Sequence, residues 1–416
     1  YQTGYTRNGL LQVGQGADIQ QVRQIRHIFL DGIYRQESAT LGYWESRAKT
    51  FQDIEAILDE PLGSGLQNMM NKFYDAWQEL SKEPDSLTIR ALVRQRAEAL
   101  VNHVNHIGEQ LDRLQNDLNS ELKIRIGEVN DITAQIAKLN AQIMQVEATG
   151  DNANDYRDQR NLLLDRLSKL ADVQVMELQD GQVNITLGGY TLVSKDVHKN
   201  LIAAERQPGD IFYVPKLEGT DTVVPVSNGI IKGLMDARGE ASGASGSTYN
   251  ENISSISDLR QKLNTLINAM VSEINSLHKS GKTLGDPPSD GEDFFTVKYP
   301  DLPLEMGNIK LNDIFSDLNK IVASESGKNS DNTVALKIAN LRHKPLITDA
   351  TGTMTLDEYY QWIIQKVGHS GSEAISICEN QQLLIDQADA SRQAILAVSM
   401  DEEMANMMKF KYAYNA

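Results

Sequence analysis

The sequence predicts a mainly α-helical fold with one inserted β-rich domain. Three observations predict it: apolar residues recur at steps of three and four towards both chain ends, they alternate at every second residue after about position 171, and residues 87–148 contain no proline. Helical stripes of this kind are stable only when they pack on one another. We therefore expect residues 1–170 and 246–416 to form an elongated, discontinuous helical bundle built from both chain ends, with residues 171–245 as a smaller inserted domain.

The N-terminal part begins with a polar, glycine-bearing stretch and continues into helices. Residues 1–26 are predicted to form an extended arm. A long helix follows from about His27 and ends before Pro61, because proline and the glycines after it disfavour further helix. A second helix begins near Leu66 and stops before Pro84, since the residue before a proline avoids helical backbone angles.

The stretch after residue 87 is the strongest helical signal in the chain. Its apolar residues follow one another at steps of three and four for about five heptads. They are Leu111, Leu114, Leu118, Leu122, Ile126, Val129, Ile132, Ile136, Leu139, Ile143 and Val146. About sixty helical residues would extend roughly 90 Å, a rod longer than an ordinary globular enzyme needs. Gly150 interrupts the pattern, and a shorter helix is predicted to run as far as Leu170.

The middle of the chain has the period of β-strands. Apolar residues alternate around the Asp-Gly pair at 180–181 and around the Gly-Gly pair at 188–189. Strand, turn, strand, turn and strand is the pattern of an antiparallel meander. Further strand-like pieces run to Val226, and a loop rich in glycine, serine and alanine is predicted at 239–247.

Helix returns in the last third of the chain. One helix is predicted from about Asn252, with a stripe that includes Ile274 and Leu277. Gly281 is expected to end this helix in a left-handed conformation. Residues 282–330 contain several prolines and glycines and are predicted to be rich in loops.

Two helical patterns close the chain. Thr355 and Glu358 form a capping box at the start of the first one. A heptad-like stripe follows it. Its members are Ile377, Leu384, Ala388, Ile395 and Val398. Ser399 with Glu402 forms a second capping box, which restarts or continues the helix to the end of the sequence.

The composition excludes several classes of protein. The chain has 40 basic and 57 acidic residues among 416, a net charge of −17, which disfavours binding to nucleic acid or to an anionic membrane surface. Cys378 is the only cysteine, so neither a disulfide framework nor a cysteine-based zinc site is expected. No apolar run approaches the roughly 18 residues of a membrane span. Both ends of the sequence are abrupt, and we expect it to be a fragment trimmed at each end.

Motifs that could carry chemistry have simpler explanations. His103 and His106 have a spacing that can bind a metal, but no third ligand is identifiable, and a solvated helix surface is expected. Residues 280–283 (SGKT) resemble the end of a phosphate-binding loop, yet the earlier glycine and the preceding strand are missing. Cys378 lies in a helix stripe, with His369 predicted in the loop before it, and no nucleophile is inferred. No catalytic, cofactor-binding or metal-binding residue is therefore predicted.

The last helix offers a candidate assembly surface instead. Its residues are Asp401, Glu403, Met404, Met407 and Met408. The two carboxylates lie in the first turn after a capping serine, where they favour the helix N-terminus, and this explanation is simpler than paired acid–base catalysis. The methionines indicate a surface for a partner because their side chains adapt to many shapes, and a buried helix face is the alternative.

Several motifs, in order along nearly the whole chain, resemble those of one known family. They are residues 65–66 with 73–81 (FYDAWQELS), Pro84 and Arg90; residues 136–143 (IAKLNAQI), 154–160 (NDYRDQR) and 167–168; residues 274–278 (INSLH), Gly285 and 294–295; and residues 401–404 (DEEM) with 412–414. Each match alone is weak, but together they are specific. The chain resembles the family of the first hook-associated protein of the bacterial flagellum.

The resemblance implies a structural adaptor that needs no cofactor. The implied partners are the hook protein, the second hook–filament junction protein and further copies of the chain in a ring. The resemblance also implies an extracellular place in the flagellum, reached by type III export without a cleaved signal peptide. An export chaperone would bind the C-terminal helix of the family, which is absent from this sequence. Neither a nucleic-acid partner nor membrane insertion is expected.

Alternatives to the adaptor stay open at this point. A flagellin-like filament subunit, or another hook-associated protein, would share the same helical organisation. An enzyme grafted onto the inserted domain is a further alternative, but no clustered set of histidine, cysteine and carboxylate residues supports it.

Overall fold

The computed structural model shows a mainly helical protein with small antiparallel sheets inserted between the helices. It describes residues 2–8, 11–18, 27–59, 65–239, 253–349, 352–396 and 400–415. Several sequence predictions lie outside these residues, namely most of the loop at 239–247, the helix start at Asn252, the helix-ending Pro61, the stripe member Val398 and the capping Ser399. The predicted fold class, helices from both chain ends around a β-rich insertion, is confirmed.

The helices of the described residues are α1 (Ile28–Leu58), α2 (Leu66–Lys82), α3 (Leu87–Glu147), α4 (Asn154–Leu170), α5 (Ile230–Arg238), α6 (Ile256–Lys279), α7 (Thr333–Ala339), α8 (Leu356–Leu396) and α9 (Met400–Asn415). The strands are β1 (Gln2–Asn8), β2 (Leu11–Asp18), β3 (Gln174–Glu177), β4 (Val183–Leu187), β5 (Tyr190–Ser194), β6 (Val197–His198), β7 (Leu201–Glu205), β8 (Tyr213–Leu217), β9 (Phe295–Val297), β10 (Ile309–Leu311), β11 (Ile347–Asp349) and β12 (Gly352–Met354).

The long helix predicted after residue 87 is confirmed as α3, with 61 residues. Its predicted stripe is buried at every position except Leu114 and Val146, which are half-buried. The capping box at the start of α8 is confirmed as well. The Thr355 N–H donates to Glu358 Oε2 at 2.8 Å, and the Glu358 N–H donates to Thr355 Oγ1 at 3.2 Å. These local signals need no distant partner, so the sequence alone reveals them.

The antiparallel meander is also confirmed. Strands β3, β4, β5 and β6 form one sheet in that order, and β7 pairs with β8 in a second sheet. The turns need glycine, because Gly181 and Gly188 have φ angles of +77° and +54°. A Cβ on Gly188 would lie 2.1 Å from the backbone oxygen of Pro225. The predicted N-terminal arm is a hairpin, since β1 pairs antiparallel with β2.

The chain divides into two compact units, and strands β3 to β8 belong to the first. Unit 1 comprises Tyr1–Ser46, Glu121–Leu234 and Ile375–Ala416, and unit 2 comprises Arg47–Ser120 and Met235–Ala374. The predicted domain limits after residues 170 and 245 stay a prediction.

Helices α1 and α8 contact each other within each unit, so elements from the two ends of the chain pair. In unit 1 the Gln381 amide donates to the Glu37 backbone oxygen at 3.2 Å. In unit 2 a Cβ on Gly371 would lie 3.4 Å from the Phe51 Cβ, which shows how closely the two helices approach. This pairing is the bundle of both chain ends that the sequence predicts.

Asparagine side chains dock several strands onto the helices. Among the described residues, four helix asparagines bind both the N–H and the C=O of the first residue of a strand. The pairs are Asn105 with Ile309, Asn130 with Leu201, Asn140 with Val183, and Asn275 with Phe295. A side-chain amide offers one acceptor and two donor hydrogens, so it can pair with a backbone N–H and C=O at the same time. We call these pairs the asparagine clamps.

Three sequence expectations are wrong in detail. Gly281 is not in the left-handed region; a Cβ there would lie 2.4 Å from Val322 Cγ1, so close packing requires the glycine instead. His278, and not its neighbour Leu277, is the fully buried residue at the end of the α6 stripe. His369 lies within α8 and not in a loop.

Candidate functional site

Helix α9 carries the predicted assembly surface. The exposed fractions of Met404, Met407 and Met408 are 49%, 61% and 48%. Met404 and Met408 are four residues apart and therefore share one face of the helix, which Tyr412 continues with a side chain that is also exposed. The structure thus brings these apolar side chains together at the surface of unit 1, and they are not a buried face.

For the two carboxylates of the same predicted surface, the structure describes the position in the helix but not the side chain. Asp401 and Glu403 lie in the first turn of α9, but their side chains are outside the part that the structure describes. Their position next to the helix N-terminus is the one in which a negative charge is stabilised.

The histidine pair on α3 does not form a metal site with its neighbours. His106 Nε2 lies 2.6 Å from the Gln110 side-chain nitrogen, so that ring nitrogen already has a hydrogen-bond partner. Among the described residues no group of three or more histidine, cysteine, aspartate or glutamate side chains could hold a metal ion.

The SGKT sequence is not a phosphate cradle either. A phosphate-binding loop needs free backbone N–H groups that point at the ligand. Here the Lys282 N–H donates to the Ser324 oxygen at 2.9 Å and the Thr283 N–H donates to the Ser289 oxygen at 2.8 Å. The Lys282 ammonium forms an ion pair with Asp290. The element before the motif is helix α6, as the sequence indicates.

The single cysteine has the chemistry of a structural thiol. Cys378 is half-buried on α8. Burial raises the pKa of its thiol, and the negative charge of Glu45 raises it further. A raised pKa leaves less of the reactive thiolate at neutral pH.

Sequence reasoning missed an ionic cluster that ties α1, α4 and α8 together in unit 1. Arg392 Nη2 lies 2.9 Å from Asp165 Oδ2, and Arg392 Nε lies 3.0 Å from Asp31 Oδ1. Arg35 Nε lies 2.8 Å from the other oxygen of Asp165, and the Arg392 guanidinium lies 4.3 Å from the Tyr34 ring centre. No motif spacing reveals these contacts, because the residues come from three distant segments.

Long paired helices and an exposed methionine surface are features of a structural subunit. Within the described residues, none of the helices combines the length and the apolar character that crossing a bilayer requires.

Comparison with known proteins identifies the family. The family model described as "Flagellar hook-associated protein FlgK helical domain" matches residues 51–295. Flagellar hook-associated protein 1 of Bacillus subtilis is 31% identical over 430 residues, with 97% of this chain and 83% of that protein covered. The protein of the same description from Escherichia coli is 23% identical, and 83% of this chain and 62% of that protein are covered. The chain belongs to the flagellar hook-associated protein FlgK family.

Two further comparisons concern coverage and fold. The hook-associated protein 1 of Salmonella typhimurium is 25% identical, and the chain spans about half of its length, 51%. The solved structure of the flagellar hook junction protein FlgK from Burkholderia pseudomallei superposes with a TM-score of 0.73 at 14% identity. The superposition covers 90% of this chain and 100% of the Burkholderia pseudomallei chain, which shows a shared fold.

Family membership determines the class of function. The chain is a structural protein of the flagellar hook–filament junction, and it is not an enzyme.

Proposed function

We propose that this chain is the adaptor that joins the flagellar hook to the filament. It assembles as a short ring-like layer at the hook tip, with the hook protein below it, the second hook–filament junction protein above it, and further copies beside it. The observation that carries the proposal is membership of the FlgK family over most of the chain. The pairing of α1 with α8 supports it, because paired long helices give each subunit a stiff frame.

The proposal assigns different roles to the two predicted domains of the chain. Residues 1–170 and 246–416 form the rod domain that packs in the layer, and residues 171–245 form the inserted β-rich domain, which faces outward. The sheets of the described residues support this, since β3 to β8 all lie between residues 174 and 217.

The methionine surface of α9 is the proposed contact with neighbouring subunits. The exposure of Met404, Met407 and Met408 supports this role, because contiguous apolar side chains rarely stay exposed without a partner. Asp401 and Glu403 complete the proposed surface at the start of the helix. Flexible thioether side chains suit a junction protein, which must fit differently shaped partners on its two sides.

The route to the junction is also part of the proposal. The chain leaves the cell by flagellar type III export without a cleaved signal peptide, and it ends in the extracellular part of the flagellum. An export chaperone is a further proposed partner during this export.

Deletion of the gene, followed by electron microscopy of the cells and a flagellin assay of the medium, tests the proposal. Bare hooks with flagellin in the medium are expected, because exported subunits would have nothing to assemble on. Bare hooks without flagellin anywhere would show instead that the chain is a filament subunit. Normal filaments on the deleted strain would refute the adaptor function.

A further inference from the structure

The hairpin β9–β10 of unit 2 carries an unusual tip. Its two strands are three residues each, and Ile309 pairs with Val297 while Leu311 pairs with Phe295. Residues 298–308 (KYPDLPLEMGN) connect the strands. A two-stranded hairpin of this size is not stable by itself, so the rest of the unit must hold it in place.

Two asparagine clamps hold the hairpin, one on each strand. Asn275 of α6 donates to the Phe295 oxygen at 2.8 Å and accepts from the Phe295 N–H at 2.8 Å. Asn105 of α3 donates to the Ile309 oxygen at 2.8 Å and accepts from the Ile309 N–H at 3.3 Å. Each strand is therefore fixed at its first residue to a different helix.

The connecting loop is fixed as firmly as the strands. The Asn308 side chain donates to the Pro303 oxygen at 2.8 Å and accepts from the Tyr299 N–H at 2.8 Å, so it bridges the loop from inside. Met306 is buried, and a Cβ on Gly108 would lie 2.8 Å from the Met306 Cβ. The base of the loop is thus seated directly on α3.

The tip that this framework presents is apolar and exposed. Tyr299 and Leu302 are 61% and 52% exposed, and Pro300 and Pro303 are exposed beside them. Tips of hairpin loops are usually polar, because water surrounds them. An apolar tip on a rigid loop loses little conformational entropy when it is bound, and tyrosine is among the residues that contribute most to interfaces.

The charge of the tip indicates what kind of surface it fits. The five tip residues 299–303 contain one charged residue, Asp301, and the adjacent Lys298 balances it. The net charge of residues 298–303 is therefore zero, whereas the whole chain has −17. Two copies of so acidic a chain repel each other except where their surfaces are neutral. A tip of five residues is also far smaller than the roughly 800 Å² per partner that a stable complex buries. It therefore suits a contact that is repeated among copies already held together.

We propose that the hairpin tip, residues 299–303, contacts a neighbouring copy of this chain within the assembled ring. This inference rests on the proposed function, since it needs copies arranged side by side. In a ring, identical copies meet through two different surfaces, so the tip of one copy packs against another part of the next.

Site-specific photo-crosslinking in the assembled flagellum tests the inference. A benzophenone amino acid replaces Leu302 in the full-length protein, and intact flagella are illuminated and isolated. An adduct of two copies of this chain is expected. An adduct with a different flagellar protein, or no adduct although the chain is present, would overturn the inference while leaving the adaptor function intact. Absence of the chain from isolated hook–filament structures would overturn both.

A variant pair separates a contact at the tip from a general loss of folding. With the crosslinker at position 300, the double variant Tyr299→Ser, Leu302→Ser should lower the yield of the self-adduct by about tenfold, as expected for removing interface anchors. The matched control is Leu87→Ser, Leu336→Ser, which removes two other exposed apolar side chains of unit 2. All four side chains are exposed, so the melting temperature should not change in either variant. Equal losses of adduct in both variants would contradict a specific role of the tip.

Discussion

Helices α3 and α8 carry the same spacing of apolar residues, but they bury it differently. In α3 the predicted stripe is the buried face, with Ile136 fully buried. In α8 the predicted stripe member Leu384 is 48% exposed, and the adjacent Ile385 is buried instead. Steps of three and four therefore predict a helix in both segments. In α8 they identify the buried face only in part, because the predicted stripe member Ala388 is buried and Leu384 is not.

The polar partners of α8 explain the difference. Its buried face runs through Gln381, Ile385 and Ala388 to the half-buried Arg392, again at steps of four and three. Gln381 bonds to Glu37, and Arg392 bonds to aspartates of α1 and α4. Neighbouring positions on a helix are about 100° apart, so these two polar anchors rotate Leu384 towards the surface. A pattern of apolar residues cannot identify this buried face, because the residues at its two ends, Gln381 and Arg392, are polar.

The largest expected effect comes from a charge in the α3 stripe. Ile136→Asp places an uncompensated carboxylate where the side chain is fully buried, and it should lower the free energy of unfolding by about 4 kcal/mol. Urea denaturation followed by circular dichroism measures this. An unchanged denaturation midpoint would mean that the stripe is not buried.

The second largest expected effect comes from breaking the asparagine clamp between Asn140 of α3 and strand β4. Asn140 donates to the Val183 oxygen at 2.8 Å and accepts from Arg160, whose pKa burial lowers to about 10. Asn140→Leu removes the side-chain partner of the Val183 oxygen and one of the partners of Arg160, which keeps its bond to the Gly181 oxygen at 2.6 Å, and it should cost about 3 kcal/mol in the same measurement. The matched control is Gln382→Leu on α8, where the side chain is exposed and donates to Asp386 of the same helix. Similar small losses in both variants would show that the clamp is dispensable.

A third helix with the same spacing, α6, adds a dependence on pH. His278 is fully buried; its Nε2 accepts from the Val322 N–H at 2.9 Å, and its Nδ1 lies 2.6 Å from the Glu292 oxygen. Burial lowers the pKa of His278 from 6.5 to about 4. The unfolded chain therefore binds a proton between these pH values that the folded chain does not bind. The contribution to stability is complete above pH 6.5 and decreases as the pH falls towards 4.

The expected loss from His278 alone is about 2 kcal/mol at pH 5 relative to pH 7. Many carboxylates titrate in the same range, so the contribution of His278 is read as a difference between two proteins. Unfolding measured at both pH values should show a smaller decrease for His278→Gln than for the unchanged chain. Equal decreases would show that His278 is protonated in the folded state.

The smallest effect sharpens the comparison between the two helices. Leu384→Asp on α8 should change the free energy of unfolding by no more than about 0.5 kcal/mol, because the side chain is exposed. Ile385→Asp, one residue further along, is its control and should cost several times more. If Leu384→Asp lowered the free energy of unfolding more than Ile385→Asp, Leu384 would lie on the buried face of α8, as the spacing predicts.

The predicted assembly surface shows how far motif reasoning reaches. Met404, Met407 and Met408 indicate a partner surface because methionine side chains adapt to many shapes, and the structure exposes all three. The ionic cluster of Arg392 could not be selected in this way, since Asp31 and Asp165 are distant in sequence. The hairpin tip has a local signal, prolines and apolar residues where a polar turn is usual, but only the clamps show that it is rigid.

The sequence by itself determined the helical class, the length of α3, the capping box of α8, the meander with its glycine turns, and the family to which the chain belongs. These depend on residues close together in the chain, or on ordered motifs. Only the tertiary structure decided which face of α8 is buried, which residue ends the α6 stripe and where the strands dock. Those choices depend on hydrogen bonds and ion pairs between segments up to hundreds of residues apart, and the free energy of such contacts exists only after the segments have packed.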